Sequence, residues 1–490
     1  MTGMFCTLNE RKCSGLGSAR ASRADDGALA VMNFYRRALG KRVLAGAPKP
    51  AREARALPGI LLAALIFFST MAVANASDTI PAPPQVKPIA LKGATIHPVS
   101  GPDIASGTIV FENGKITAIG ADAAIPAEAE VIDATGKHVY PGLINAHTVL
   151  GLVEIGAVRA TVDVEESGAI NPNVRSITSV NPDSELIPVA RSNGILTALS
   201  VPEGGIISGQ SAVLRLEGWT PEEMTVRSPA AMHLRWPDLT IDRRPRARKS
   251  VKDQQKEIDK AQKQIRDAFQ IARSYWQARK NPSPDFKSDL RWEALMPVFD
   301  GKLPLFVHAG TLAEIEAALA WAKEAQLKIV LVGGNDAWRV APQLKDSDTA
   351  VILGPSTSLP AHRDDGYDSG WSNAAKLHEA GVRFCIASNG RGAETNERNV
   401  GYEAGLAAAF GLPKEEALKA VTLYPAQIIG VADRLGSLET GKAATLIVTN
   451  GDPLDFPTQV EAAYIDGRKI DLTNRQTRLR DKYREKYRRK

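Results

Sequence analysis

Cysteine is scarce. The 490-residue chain has three, with Cys6 and Cys13 in a basic leader and only Cys385 in the body. A lone thiol cannot close an internal bridge, so a disulfide scaffold is excluded. Cys385 stands in the apolar run Val382-Arg383-Phe384-Cys385-Ile386 and reads as a core thiol rather than a nucleophile. Glycine (40) and proline (30) are too sparse for a collagen-like or low-complexity chain, and no internal repeat is evident. Aromatic residues, 6% of the chain, form no stacking platform of the kind single-stranded nucleic acid needs. What remains is an ordinary globular composition, long enough for one large domain and a smaller one.

The net charge of +6 is a property of the two ends. Residues 1–56 hold eleven Lys and Arg against four acidic residues, and 475–490 hold nine against two, so the 418 residues between them carry net −8. An acidic body excludes a nucleic-acid-binding enzyme. The basic tail is expected to touch an acidic membrane surface. One uncharged apolar stretch, LPGILLAALIFFSTMAV at 57–73, follows Lys49, Arg52 and Arg55 and precedes Ala74-Asn75-Ala76. That is the layout of a secretory signal with cleavage after Ala76, placing the body outside the cytoplasm, in the periplasm. The alternative is an uncleaved anchor through 57–73. The long leader points to a start at Met32 or to an extended n-region. Residues 77–88 read as a Pro-rich linker.

Residues 89–138 and 435–472 are strand-rich. Asn113-Gly114 and Asp466-Gly467 each separate two apolar runs, the strongest short hairpin signal. Neither segment can bury a core alone, so both ends are expected to build one discontinuous β-sandwich. Between them, residues 139–434 alternate strand-like and helix-like patterns. Candidate strands are 139–147, 194–201, 211–218, 230–236, 303–310, 328–335, 350–356 and 383–390. Eight strands interleaved with helices over this length predict a (β/α)8 TIM barrel. A charged insertion at 241–290 carries Ile258, Ala261, Ile265, Phe269, Ala272 and Trp276 at spacings of three and four, predicting one long helix against the barrel.

Val139-Tyr140-Pro141-Gly142-Leu143-Ile144-Asn145-Ala146-His147 resembles the first barrel strand of the amidohydrolase superfamily, in its imidazolonepropionase-like branch. Leu435-Gly436-Ser437-Leu438-Glu439-Thr440-Gly441-Lys442, with Thr445-Leu446-Ile447-Val448 and Gly451-Asp452-Pro453-Leu454 after it, is similar to that family's return into its small β-domain. With 415–429 added, the similarity spans residues 89–472 in element order. It implies a metal-dependent hydrolase acting on a C–N bond of a small molecule, such as a non-peptide or dipeptide-like amide. The ions would sit at the strand ends of the barrel mouth, where they activate water and polarise a carbonyl.

The family's usual ligands are His-x-His from strand one, a carboxylate from strand four, His from strands five and six, and Asp from strand eight. Here His147 keeps the first place, but Val149 takes the second. His308 matches strand five. Strand six has no His, and Asn389 stands where Asp is expected. His233 lies in the fourth strand, and the loop after strand seven carries His362, Asp364 and Asp365. The resemblance thus implies a divergent site. His147, His308, His233 and His362 are its candidate ligands, and Asn389, Asp364 and Asp365 its candidate catalytic groups. A divalent ion, zinc first, is expected to bind weakly or not at all. The alternative is a catalytically inactive binding protein that keeps the mouth as a pocket. His97, His138 and His378 read as inert surface residues.

Overall fold

The computed structural model describes Thr79 to Arg489 except Ser358, Ala361, Asn389 and Arg391. The leader, the 57–73 stretch, the Ala76 cleavage site and Asn389 therefore lie outside the described residues. Among those described, no helix is long and apolar enough to cross a membrane.

Among the described residues five strands come first: β1 (Ile89–Ile96), β2 (Ile104–Glu112), β3 (Lys115–Gly120), β4 (Glu130–Asp133) and β5 (His138–Pro141). Ten follow in the middle: β6 (Leu143–Thr148), β7 (Ile195–Ser200), β8 (Ile207–Gln210), β9 (Ala212–Arg215), β10 (Thr225–Arg227), β11 (Met232–Arg235), β12 (Leu305–Ala309), β13 (Ile329–Gly333), β14 (Ala350–Leu353) and β15 (Phe384–Ile386). The last three are β16 (Leu446–Thr449), β17 (Val460–Ile465) and β18 (Arg468–Lys469).

The two strand-rich ends share one sheet, ordered β18-β17-β16-β5-β1-β2-β3, with β4 also on β1. Its hairpins are the expected ones. Asn113 and Gly114, and likewise Asp466 and Gly467, adopt positive φ at both turn positions, which matches the twist of the strands they join. The early and late segments meet where β16 pairs antiparallel with β5 and where Ile116 N–H donates to the Lys442 carbonyl. The structure records a single branched sheet here, because β1 pairs with β4 along its first half and β5 along its second. Leu91, Ile96, Ile109, Phe111 and Ile116 share a core with Leu446, Val448 and Tyr464.

All eight predicted middle strands are present. The first divides at Gly142, so that β5 joins the end sheet and β6 starts the barrel wall. β6 and β7 run parallel, as do β11 to β15, giving the wall of a TIM-barrel-containing α/β fold. Hydrogen bonding divides this wall into two sheets, β10-β9-β7-β6 and β15-β14-β13-β12-β11-β8. On one side β8 and β9 continue into each other through Ser211, whose N–H donates to the Ala231 carbonyl. On the other side the chain at 420–421 fits between β6 and β15: Ile144 N–H donates to the Val421 carbonyl and Ile386 N–H to that of Ala420. The insertion forms the helix Val251–Lys280, capped by Ser250, whose hydroxyl accepts from Asp253 N–H at 3.1 Å. It buries Ile265, Ala268, Phe269 and Ala272, and Phe269 meets Trp321 edge-on at 4.9 Å.

Tyr464 is fully buried and packs T-shaped on Phe111, ring centroids 5.0 Å apart, so one contact joins the two ends of the chain. Tyr464→Ala is expected to cost about 3–5 kcal/mol, the range for emptying an aromatic site in a core. Urea unfolding followed by fluorescence checks this, and an unchanged midpoint contradicts the shared core.

Candidate active site

His147 lies one residue before the end of β6, His233 in β11 and His308 in β12. Strand alternation turns them inward. β11 and β12 run parallel with His233 opposite Phe306 and Arg235 opposite His308, so the two imidazoles meet diagonally. His233 Nδ1 and His308 Nε2 are 2.9 Å apart, one donating and the other accepting. The His308 ring centroid is 5.1 Å from that of His147 and 5.2 Å from that of His233.

Burial keeps the three rings neutral. It lowers His147 to about 4, with the Arg235 charge adding to the effect and a bond to the Ser388 backbone opposing it. His233 is held well below the usual imidazole value by burial, then by His147 and Arg235. His308 is lowered likewise by burial, then by Arg235 and its two imidazole neighbours. Among the described residues, Nε2 of His147 and Nε2 of His233 are buried without a hydrogen-bond partner. A buried polar atom left unpaired costs about 1–3 kcal/mol, so these nitrogens suit a ligand. Neutral imidazole is also the form that binds a metal. Three such donors suit a zinc site with one open position by type, and the rings would have to draw together to share one ion, because their ring nitrogens do not all lie within 4.8 Å of one another. His308 Nε2 would have to exchange its bond to His233 for it.

Charged groups surround the rings. Arg235 lies 3.3 Å from Glu203, which follows β7. The Glu203 carboxylate and the His147 ring both press on Gly390: a Cβ there would stand 2.2 Å from Glu203 Oε1 and 3.4 Å from His147 Cε1. Behind His147, Asn145 Nδ2 donates to Ser388 Oγ at 2.7 Å and also contacts Glu397. Ser388 N–H donates to Asn145 Oδ1 at 3.2 Å. Burial pushes the Glu397 carboxyl up to about 8, against the bonds from Ser388, Thr148 and Asn145. These side chains join β6 to the end of β15. Sequence reasoning missed Arg235, Glu203 and Glu397. Arg235 had a readable signal, since period two puts it on the same strand face as His233. Glu203 and Glu397 lie in a loop and a short helix with no motif around them.

The remaining candidates lie elsewhere. Val149 is fully buried in the apolar core. Asp336, His362 and Asp365 form the group of metal-type side chains, among the described residues, whose ligand atoms all lie within 4.8 Å of one another. A cation already serves them. Arg339 Nε is 3.3 Å from Asp336 Oδ1, and Arg339 also pairs with Asp365. Asp336 Oδ2 accepts from Leu312 N–H at 2.9 Å and meets His362 Nε2 at 3.0 Å. This arrangement is a clamp between the turn after β13 and the loop after β14. It brings neither His362 nor Asp365 into contact with the three imidazoles. Asp364 is exposed beside it. His97 and His138, expected at the surface, are half-buried and bonded to each other at 3.0 Å, with His97 Nδ1 2.8 Å from Asp103. His378 lies in a helix, 3.7 Å from Glu416.

A parallel-stranded α/β wall with histidines gathered at its strand ends defines a class of barrel protein, and comparison narrows it. The amidohydrolase family profile matches residues 309–474. The chain is 24% identical over 391 residues to amidohydrolase tasK of Hapsidospora irregularis, covering 74% of this chain and 39% of that protein. It is 24% identical over 366 residues to an imidazolonepropionase of Mesorhizobium japonicum, covering 70% and 86%. An amidohydrolase structure from Thermotoga maritima MSB8 superposes with a TM-score of 0.69 at 27% identity, covering 78% of this chain and 99% of that one. Residues 309–474 belong to the amidohydrolase family, and the chain over most of its length is similar to the imidazolonepropionase-like branch of that superfamily. It spans about two fifths of the length of tasK.

His362 is raised above its ordinary value, first by its bond to Asp336 and then by that residue's charge. Its contribution is complete below the ordinary imidazole pKa and is lost as pH rises through the raised value. Corrected for intrinsic exchange rates, amide protection across 362–369 should therefore fall with rising pH, and in His362→Ala it should be low throughout. Protection that rises with pH contradicts the clamp.

Proposed function

We propose that this protein hydrolyses a C–N bond in a small amide, non-peptide or dipeptide-like, at the three-imidazole cluster. The observation that carries the reading is the convergence of His147, His233 and His308, with two ring nitrogens buried and, among the described residues, unpaired. Its likeness to an imidazolonepropionase supports it. We read the two middle sheets as one (β/α)8 wall and the branched end sheet as the discontinuous sandwich. We read the chain as exported, with cleavage after Ala76.

His147, His233 and His308 would hold a single divalent ion, zinc first. When bound, it supplies a polarised carbonyl and an activated water. The chain's own residues do the rest. Glu203, kept beside His147 by Arg235, is the carboxylate placed to take and return a proton at its Oε1. Arg235 orients Glu203 and adds its charge to the burial that keeps the imidazoles unprotonated, while Gly390 leaves room for the carboxylate. Glu397, Asn145 and Ser388 fix the backbone that presents His147. Asp364 and Asp365 take no part in this scheme.

The test is turnover of a panel of N-acyl amino acids, dipeptides and cyclic amides, with metal content measured on the same samples. His147→Ala, His233→Ala and His308→Ala should each lower kcat/KM at least about 100-fold, the scale of losing one electrostatic stabiliser in a buried site. Each should also lower bound metal. Full activity in any of the three contradicts the assignment. A wild-type chain that binds panel compounds without turnover identifies the binding-protein alternative, which the buried Val149 in place of a second strand-one imidazole favours.

A further inference from the structure

We propose that the C-terminal helix, Arg475–Arg488, is an interfacial docking element for an anionic phospholipid bilayer. The helix is rooted at one end. Asn474 is buried, accepts from Thr477 N–H at 2.9 Å in a capping box, and donates to Ser192 Oγ at 3.0 Å. Beyond that root no residue of the helix is buried. Leu479, Tyr483 and Tyr487 are 42%, 49% and 63% exposed.

The order of charges around the helix carries the argument. At 3.6 residues per turn, residues four apart share a strip, so Leu479, Tyr483 and Tyr487 form one continuous stripe. The same geometry sets Arg480 and Arg484 along one border of the stripe, and Arg475, Lys482 and Lys486 along the other. Asp481 and Glu485, the two acidic residues of the helix, fall on the opposite side. Lys486 Nζ approaches the rings of Tyr483 and Tyr487 at 5.9 and 5.8 Å. The body side is fixed by Arg478, 3.9 Å from Glu185 and on the same side as the acidic pair. The stripe thus faces away from the barrel over about 12 Å of helix.

A membrane interface matches this pattern. Tyrosine prefers the headgroup level, and an apolar stripe between two basic borders seats a helix in the interface plane. Each Lys or Arg near an anionic surface adds to the attraction, and the helix holds seven against two acids. Nucleic acid fits less well, because the chain between the two basic ends is acidic and the bases of the helix border a tyrosine stripe instead of forming a uniform cationic face.

Flotation of the full chain with vesicles tests the proposal, comparing phosphatidylglycerol/phosphatidylcholine mixtures with pure phosphatidylcholine at low and high salt. The wild type should prefer the anionic vesicles and lose that preference as salt rises. Arg480→Gln with Arg484→Gln, and separately Tyr483→Ser with Tyr487→Ser, should each lower anionic partitioning about tenfold or more, with unchanged circular dichroism and thermal midpoint. Partitioning that ignores lipid charge and both double variants, as the 57–73 stretch alone would give, overturns the proposal. So does a helix-dependent affinity for single-stranded RNA, or for a second copy of the chain, without helix-dependent vesicle binding.

Discussion

An imidazole removed from water gives up its proton readily, because the cationic form loses most by burial. Three such rings packed together reinforce one another, since protonating any of them would place a charge beside two dipoles and the Arg235 guanidinium. The barrel mouth is built around this constraint. It needs strand ends that converge, a carboxylate to balance Arg235 and support for the His147 backbone on the side of β6 away from β7. Glu203 supplies the charge balance. Glu397, Asn145 and Ser388 supply the backbone support, at the side of the wall where β6 and β15 are joined through side chains and residues 420–421.

The end sheet serves the same arrangement from below. β5 and β6 are consecutive, so the strand that pairs with β16 in the end sheet leads through Gly142 into the strand that carries His147. Packing of Tyr464 on Phe111 therefore anchors the root of β6 as well as closing the small core. The clamp of Asp336, Arg339, His362 and Asp365 acts on a different part of the mouth. It ties the turn after β13 to the loop after β14, and its carboxylates are saturated by protein donors.

Much of the fold was legible because its signals are local. Asn-Gly and Asp-Gly between apolar runs gave both hairpins, and the spacing of Ile265, Phe269 and Ala272 gave the long helix. The division of 139–147 was not legible, since both parts are apolar and only the pairing partners distinguish them. The site was legible in part. His147 and His308 could be placed because each closes an apolar run at a strand end, and they do meet. His233 stood in the strand where a carboxylate ligand was expected, and its weight comes from contact with His308 across two strands. Glu203 and Glu397 reach the site through tertiary convergence, which no short spacing encodes. The loop residues His362 and Asp365 looked like site chemistry because Asp and His are also the residues of a clamp. Their partner Arg339 lies more than twenty positions earlier in the chain.

X-ray absorption at the zinc edge, on protein equilibrated with one equivalent of zinc, addresses the three-imidazole centre most directly. The account predicts a first shell of three imidazole nitrogens at about 2.0–2.1 Å with one further light atom. A shell dominated by carboxylate oxygen, as Asp336 and Asp365 would give, or no stoichiometric zinc at all, would contradict it.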